Sequence, residues 1–132
     1  MKSEPSSYSW TKFVKDGSTY WDGVRNYEAR NNLRLMKSGD LALFYHSVKE
    51  KAIVGIAKVT AEHRPDPTAK DGDWSVVDFA PIKEMVEPVT LGDIKGDGGF
   101  EEFALIRKSR LSVVPASAVH FKRVLKMGKT KL

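Results

Sequence analysis

The sequence predicts an α+β fold, a curled, mixed or antiparallel sheet tending to a small pseudo-barrel and surrounded by short helices. Three observations carry that prediction. Apolar, β-branched and aromatic runs cluster in mid-chain, capped helical patterns flank them on both sides, and the βαβ alternation of parallel sheets is missing. At 132 residues the chain, 1–132, is the size of one domain. Folding at that length buries roughly two-thirds of the surface of the unfolded chain, so a core forms without a staple.

Ser9 caps a short helix from Trp10 to Lys15, which Gly17 ends. Thr19–Tyr20–Trp21–Asp22–Gly23 reads as an aromatic loop. Tyr27 to Lys37 reads as a helix with Ala29, Leu33 and Met36 on its apolar face, closed by Gly39. Asp40 to His46 and Ile53 to Val59 are strands, antiparallel neighbours because so few residues join them. Pro65 to Asp73 is a loop, and Trp74 opens a strand that continues past Pro81 to Val86. Thr90 caps one helical turn, Leu91 to Lys95, and Phe100 to Lys108 reads as a helix. Ser112–Val113–Val114 reads as a strand. A last helix runs from Pro115 or Ala116 to Met127, with Gly128–Leu132 a solvated tail.

The absence of cysteine excludes a disulfide framework, a thiolate zinc site, a thiol nucleophile and an iron–sulfur cluster. No apolar run approaches the roughly 18 residues of a membrane span, and no signal-peptide pattern opens the chain. The expectation is a monomer without cofactor, metal or membrane association, located in the cytoplasm, or in the nucleus of a eukaryotic source. Charge is segregated: residues 1–60 carry net +4, residues 61–102 net −7 and residues 103–132 net +8. Were the two ends to lie together they would form a positive face able to meet phosphates; a basic, solvated C-terminal helix explains the same charges.

The densest cluster of chemistry is Trp21–Asp22–Gly23–Val24–Arg25–Asn26–Tyr27, followed by Arg30, Asn31 and Arg34. A nucleobase pocket needs a flat apolar surface and a few groups that read the base edge. Trp21 offers the first, Asp22 and Asn26 the second, and Arg25, Arg30 and Arg34 lie where phosphates would be met. The residues equally describe a Trp anchored in the core beside an ordinary helix surface, and composition alone favours that simpler description. Alternation along Phe44–Tyr45–His46–Ser47 sends Phe44 and His46 to one face and Tyr45 and Ser47 to the other; His46 reads as a structural histidine. Arg107, Lys108, Ser109 and Arg110 suit phosphate contacts, or a basic helix end complementing its dipole. Trp74 reads as core, with a second stacking wall as the other possibility. Motifs for common catalysis, metal binding and dinucleotide binding are missing.

The blocks Met1–Lys2–Ser3–Glu4–Pro5, Trp21 to Tyr27 with Ala29–Arg30–Asn31, Phe44–Tyr45–His46–Ser47, Gly55–Ile56–Ala57 and Ser109 to Val113 resemble the EVE domain family in order and spacing, across essentially the whole chain. The resemblance implies a PUA-like fold, related to YTH and ASCH domains, and a non-catalytic pocket for a modified base of DNA or RNA. Trp21, Asp22 and Val24 would line that pocket, approached by Ser3 and Glu4, with Asn26 and Tyr27 behind. Tyr45, His46 and Ser47 would form another wall, Ser109 and Arg110 would close the side, and Trp74 would stand near an aromatic wall. Arg25, Arg30, Arg107 and Lys108 would contact phosphates. Family members carry apolar residues ahead of the K-S-E-P block, so the first strand is expected to be short here. Two rivals stay open: an enzyme that cleaves or modifies RNA with His46 as acid or base, and a regulator binding a nucleotide or metabolite.

Overall fold

The computed structural model describes residues 2–3, 8–22, 24–47, 51–97, 100, 103, 105 and 113–131. Its elements run β1 (Lys2–Ser3), α1 (Trp10–Asp16), β2 (Thr19–Tyr20), α2 (Tyr27–Arg34), β3 (Leu41–His46), β4 (Ala52–Pro65), β5 (Ser75–Thr90) and α3 (Leu91–Gly96), with α4 (Ala118–Met127) near the C-terminus. The strands form one sheet in the order β1-β3-β4-β5-β2. β1 pairs with β3 in parallel, Lys2 opposite Tyr45, and every other neighbour pair is antiparallel. The sheet is mixed, curled and open: β1 and β2 are its two edges, so the expected pseudo-barrel does not close among the described residues.

Local chemistry explains most helix ends. The Ser9 hydroxyl accepts the Lys12 N–H, and Gly17 closes α1. Asn26 caps α2 by accepting the Ala29 N–H at 3.0 Å. Thr90 and Asp93 cap α3 reciprocally, each side chain accepting the other's backbone N–H. Ser117 caps α4.

The sheet is buried on both faces. One core gathers Trp10, Phe13, Val24, Ala29, Leu33, Phe44, Val59, Val77 and Phe79 under α1 and α2. The other gathers Leu43, Tyr45, Ile53, Ile56, Met85, Val89, Ile94 and Val124 under α3 and α4. An unbroken period of two would put Val77, Phe79, Met85 and Val89 on one face of β5. They divide between the cores because the β4–β5 pairing shifts register at four places, one of them between Ile56 and Ala57.

Several expectations need correction. α2 stops at Arg34, three residues early, where Leu35 caps it with its N–H on the carbonyls of Asn31 and Asn32. Thr19 and Tyr20 are not loop but a strand paired to Phe79 and Asp78. β4 and β5 run on through Pro65 and to Thr90, because their ends pair with each other, Pro65 opposite Ser75 and Ala52 opposite Thr90. Val113 and Val114 are not in a strand; Val113 is a buried core residue, and its carbonyl accepts the Asn32 side-chain amide at 2.8 Å. The helix read over Phe100 to Lys108 falls mostly outside the described residues, as does Ser112. The segment after α4 is docked rather than solvated: Thr130 is 4% exposed, and its hydroxyl accepts the Val86 N–H while donating to the Gly128 carbonyl.

Candidate functional site

Trp21 extends the pairing of β2 by one residue, its N–H donating to the Val77 carbonyl at 2.8 Å. That bond holds the half-buried indole at the margin of the first core, at steep angles to Phe44, Phe79 and Tyr8 with centroids 5.7, 6.1 and 6.3 Å away. Asp22 is exposed beside it, and two residues on Val24 is buried again. Trp21 and Asp22 thus adjoin at the margin of the first core, the first half-buried and the second exposed. Trp21 is both a core contact and a partly accessible ring. Tyr8 and Trp10 belong to this aromatic cluster although the sequence did not nominate them; their signal was position, two aromatics bracketing the Ser9 cap. Burial raises the Tyr8 hydroxyl above its ordinary pKa, opposed by a hydrogen bond with Thr19 and supported by Asp16, which accepts its O–H at 3.1 Å.

Along β3 the predicted alternation is observed. Phe44 and His46 face the first core, the rings 5.7 Å apart, whereas Tyr45 is buried in the second. Tyr45 is therefore separated from Trp21 by the sheet and shares no wall with it. Burial raises the Tyr45 hydroxyl above its ordinary pKa. His46 is 7% exposed, and its Nε2 accepts the Trp10 backbone N–H at 3.1 Å. An acceptor Nε2 puts the ring proton on Nδ1. Ser47 stands half-exposed just past the strand.

A second group forms where α2 meets the loop before β5. Tyr27 stacks on Trp74 with centroids 5.1 Å apart and planes at 21°. Arg30 lies 5.0 Å from the Tyr27 ring and donates to the Asp73 carbonyl, and Arg25 lies 5.7 Å from Trp74 while bonded to the buried Asp66 at 2.9 Å. Arg34 pairs with Asp73 at 2.7 Å. The arginines placed for phosphate contact thus meet carboxylates and carbonyls of the acidic middle segment. Asn26 spends its side-chain oxygen on the helix cap.

Glu4, Arg107, Lys108, Ser109 and Arg110 lie outside the described residues, and Ser3 is described only through its pairing in β1. The two basic segments border one cavity of about 580 Å³, which Lys2 and Lys122 line together with Tyr45, Leu43 and Phe121. Ala42 and Val59 of the first core also line that cavity, and Trp21 does not. Burial lowers the Lys2 ammonium below its ordinary pKa. Ion pairs Arg25–Asp66, Arg34–Asp73, Arg123–Asp97 and Lys129–Glu87 join both basic segments to the acidic one. Charge segregated along the chain is therefore interleaved in space. Among the described residues no cluster of His, Asp or Glu could hold a metal, and no helix is long and apolar enough to cross a membrane.

A family model described as the EVE domain matches residues 1–127. Thymocyte nuclear protein 1 of Gallus gallus is 37% identical, with 86% of this chain and 57% of that protein covered. The Homo sapiens protein of the same name is 35% identical, with 83% and 59% covered. The chain therefore spans less than two-thirds of the length of these relatives. Among solved structures, protein Atu2648 from Agrobacterium tumefaciens superposes with a TM-score of 0.95 at 42% identity, covering 98% of this chain and 90% of that one. The human THYN1 protein, in complex with 5-methylcytosine containing DNA, superposes with a TM-score of 0.90 at 32% identity, covering 100% and 97%.

Proposed function

Because the chain belongs to the EVE domain family, we propose that it is a nucleic-acid reader that takes one modified base into a pocket beside Trp21 and catalyses nothing. The observation that carries this reading is the human THYN1 structure, which has the same fold over the whole chain and holds 5-methylcytosine DNA. The geometry supports it in two ways. Removing a base from its stack costs a few kcal/mol, and stacking on one aromatic ring returns about 1–3 kcal/mol, which the half-buried Trp21 can supply. The exposed Asp22 beside it is an acceptor of the kind that reads the exocyclic amino group of cytosine. The engagement of His46 Nε2 by a backbone amide favours binding over acid–base catalysis. In this reading Arg107 and Lys108 contact phosphates, and Ser109 and Arg110 close the side of the pocket. Arg25 and Arg30 contribute less, because Asp66 and the Asp73 carbonyl already hold them.

The test is affinity for a 5-methylcytosine oligonucleotide and its unmodified counterpart at fixed salt. The modified strand should bind more tightly, and Trp21→Ala should weaken it by about 5- to 100-fold, the equivalent of one lost stacking contact. Trp21 also packs on Phe44 and Phe79, so Asp22→Ala, at an exposed position, is the companion that leaves the fold intact. Equal affinity for both strands, unchanged in either variant, would sink the reading. Tight binding of free nucleosides with no response to salt would favour the small-molecule regulator instead.

A further inference from the structure

We propose that the Tyr27–Trp74 stack is a second, sequence-independent stacking platform, taking a base that flanks the one read at Trp21. The inference rests on the nucleic-acid reading above and adds a separate contact to it. Tyr27 is 67% exposed although it is one half of an aromatic stack, so the pairing leaves much of its surface in water. Tyr27 to Trp74 is 5.1 Å, Arg30 to Tyr27 is 5.0 Å and Arg30 to Trp74 is 5.8 Å. Arg30 thus sits over both rings while Trp74 stacks on Tyr27, and Tyr27 is nevertheless 67% exposed.

The platform is also rigid. Trp74 lies so close to Gly72 that a Cβ at that position would fall 2.6 Å from Nε1, and Gly72 has φ +87, which side-chain-bearing residues rarely adopt. Asp66 accepts Arg25 and Thr68, and its N–H donates to the Trp74 carbonyl at 2.9 Å, fixing the other end of the loop. Tyr27 itself starts α2 directly after the Asn26 cap. An exposed aromatic ring stacked on a fixed partner at the start of a helix binds a planar partner at a reduced cost in conformational entropy.

Local charge decides what kind of partner. Arg25 and Arg34 are paired with Asp66 and Asp73, and Asp71 adds a further carboxylate, so the neighbourhood carries little net charge. A phosphate finds little excess of positive charge there, whereas a base face finds a ring. The contact should therefore add affinity without base discrimination and with little dependence on salt.

The experiment compares the unsubstituted chain with Tyr27→Ala and Tyr27→Phe, using a 5-methylcytosine oligonucleotide and free 5-methyl-2′-deoxycytidine as probes. Circular dichroism checks that the exposed substitution leaves the fold unchanged. Tyr27→Ala should weaken oligonucleotide binding by about 5- to 100-fold, leave nucleoside binding unchanged and keep the slope of affinity against salt. Tyr27→Phe should bind as the unsubstituted chain does. Oligonucleotide affinity unchanged in Tyr27→Ala overturns the platform alone. Equal loss for both probes also overturns it, because Tyr27 would then belong to the pocket itself. No binding of either probe by the unsubstituted chain overturns the nucleic-acid reading and the platform with it.

Discussion

Asp66 is wholly buried and Arg25, partly exposed, reaches it across 41 residues of sequence at 2.9 Å. The same carboxylate accepts the Thr68 N–H at 2.7 Å and the Thr68 hydroxyl at 2.6 Å, so it organises the start of the loop that ends at Trp74. Removing one partner of such a pair costs more than the pair contributes, since the remaining charge stays buried. Arg25→Ala should destabilise the fold by about 1–3 kcal/mol, toward the lower end because Thr68 still solvates the carboxylate. Adding Asp66→Asn should recover part of that loss. Urea titrations of the single and double variants measure it as a change of midpoint at constant slope.

Trp10 covers Gly55 closely. A Cβ on Gly55 would lie 2.5 Å from Cζ2 and Cζ3 of that indole, which is itself buried among Phe13 and Phe44 and cannot withdraw. Gly55→Ala should cost about 1–3 kcal/mol or more through overpacking. Combining it with Trp10→Leu should cost less than the two separate losses added together, a coupling that thermal or urea unfolding of all four chains reads directly.

Alkaline pH should weaken the fold. Burial raises the hydroxyls of Tyr45 and Tyr8 above 10.0, their ordinary value, so above that pH the unfolded chain ionises first. Stability from these groups is complete below pH 10.0 and falls as pH rises through their higher folded values. Lys2 acts in the opposite sense: its ammonium is lowered from 10.5, so its contribution improves with pH between its folded value and 10.5. Unfolding free energy measured at a series of pH values above 10.0 should decline, and the decline should be shallower in Tyr45→Phe. An equal slope in both chains would show that Tyr45 ionises alike folded and unfolded.

The elements readable from sequence were those whose instructions are local. Ser9 and Thr90 each sit one residue ahead of their helix and cap it, and the β3–β4 hairpin follows from two apolar runs with a short polar connection. Pairings between distant segments left no such trace. Lys2–Ser3 beside Tyr45, and Thr19–Tyr20 beside Phe79, are two-residue edges too short to show a period. The extensions past the strands read from sequence, 60–65 of β4 and 87–90 of β5, are mostly exposed and lack an apolar run to mark them as strand. At the candidate site the aromatic and polar residue types were legible, and their partners were not. Nothing in the W-D-G-V-R-N-Y block announces that Arg25 belongs to Asp66 or Tyr27 to Trp74, since those contacts form only once the sheet brings α2 beside the loop before β5.

The register shifts between β4 and β5 carry a consequence for how this chain tolerates change. Both cores draw on the same two strands, and each shift decides which residues turn toward which core. Swapping one aliphatic side chain for another between Ile53 and Val59 alters a contact; adding or deleting a single residue there would exchange inside for outside along the rest of the strand. In this stretch the number of residues is constrained more tightly than their identity. A library that varies side chains at fixed length should keep folded members, while one that varies length should keep almost none.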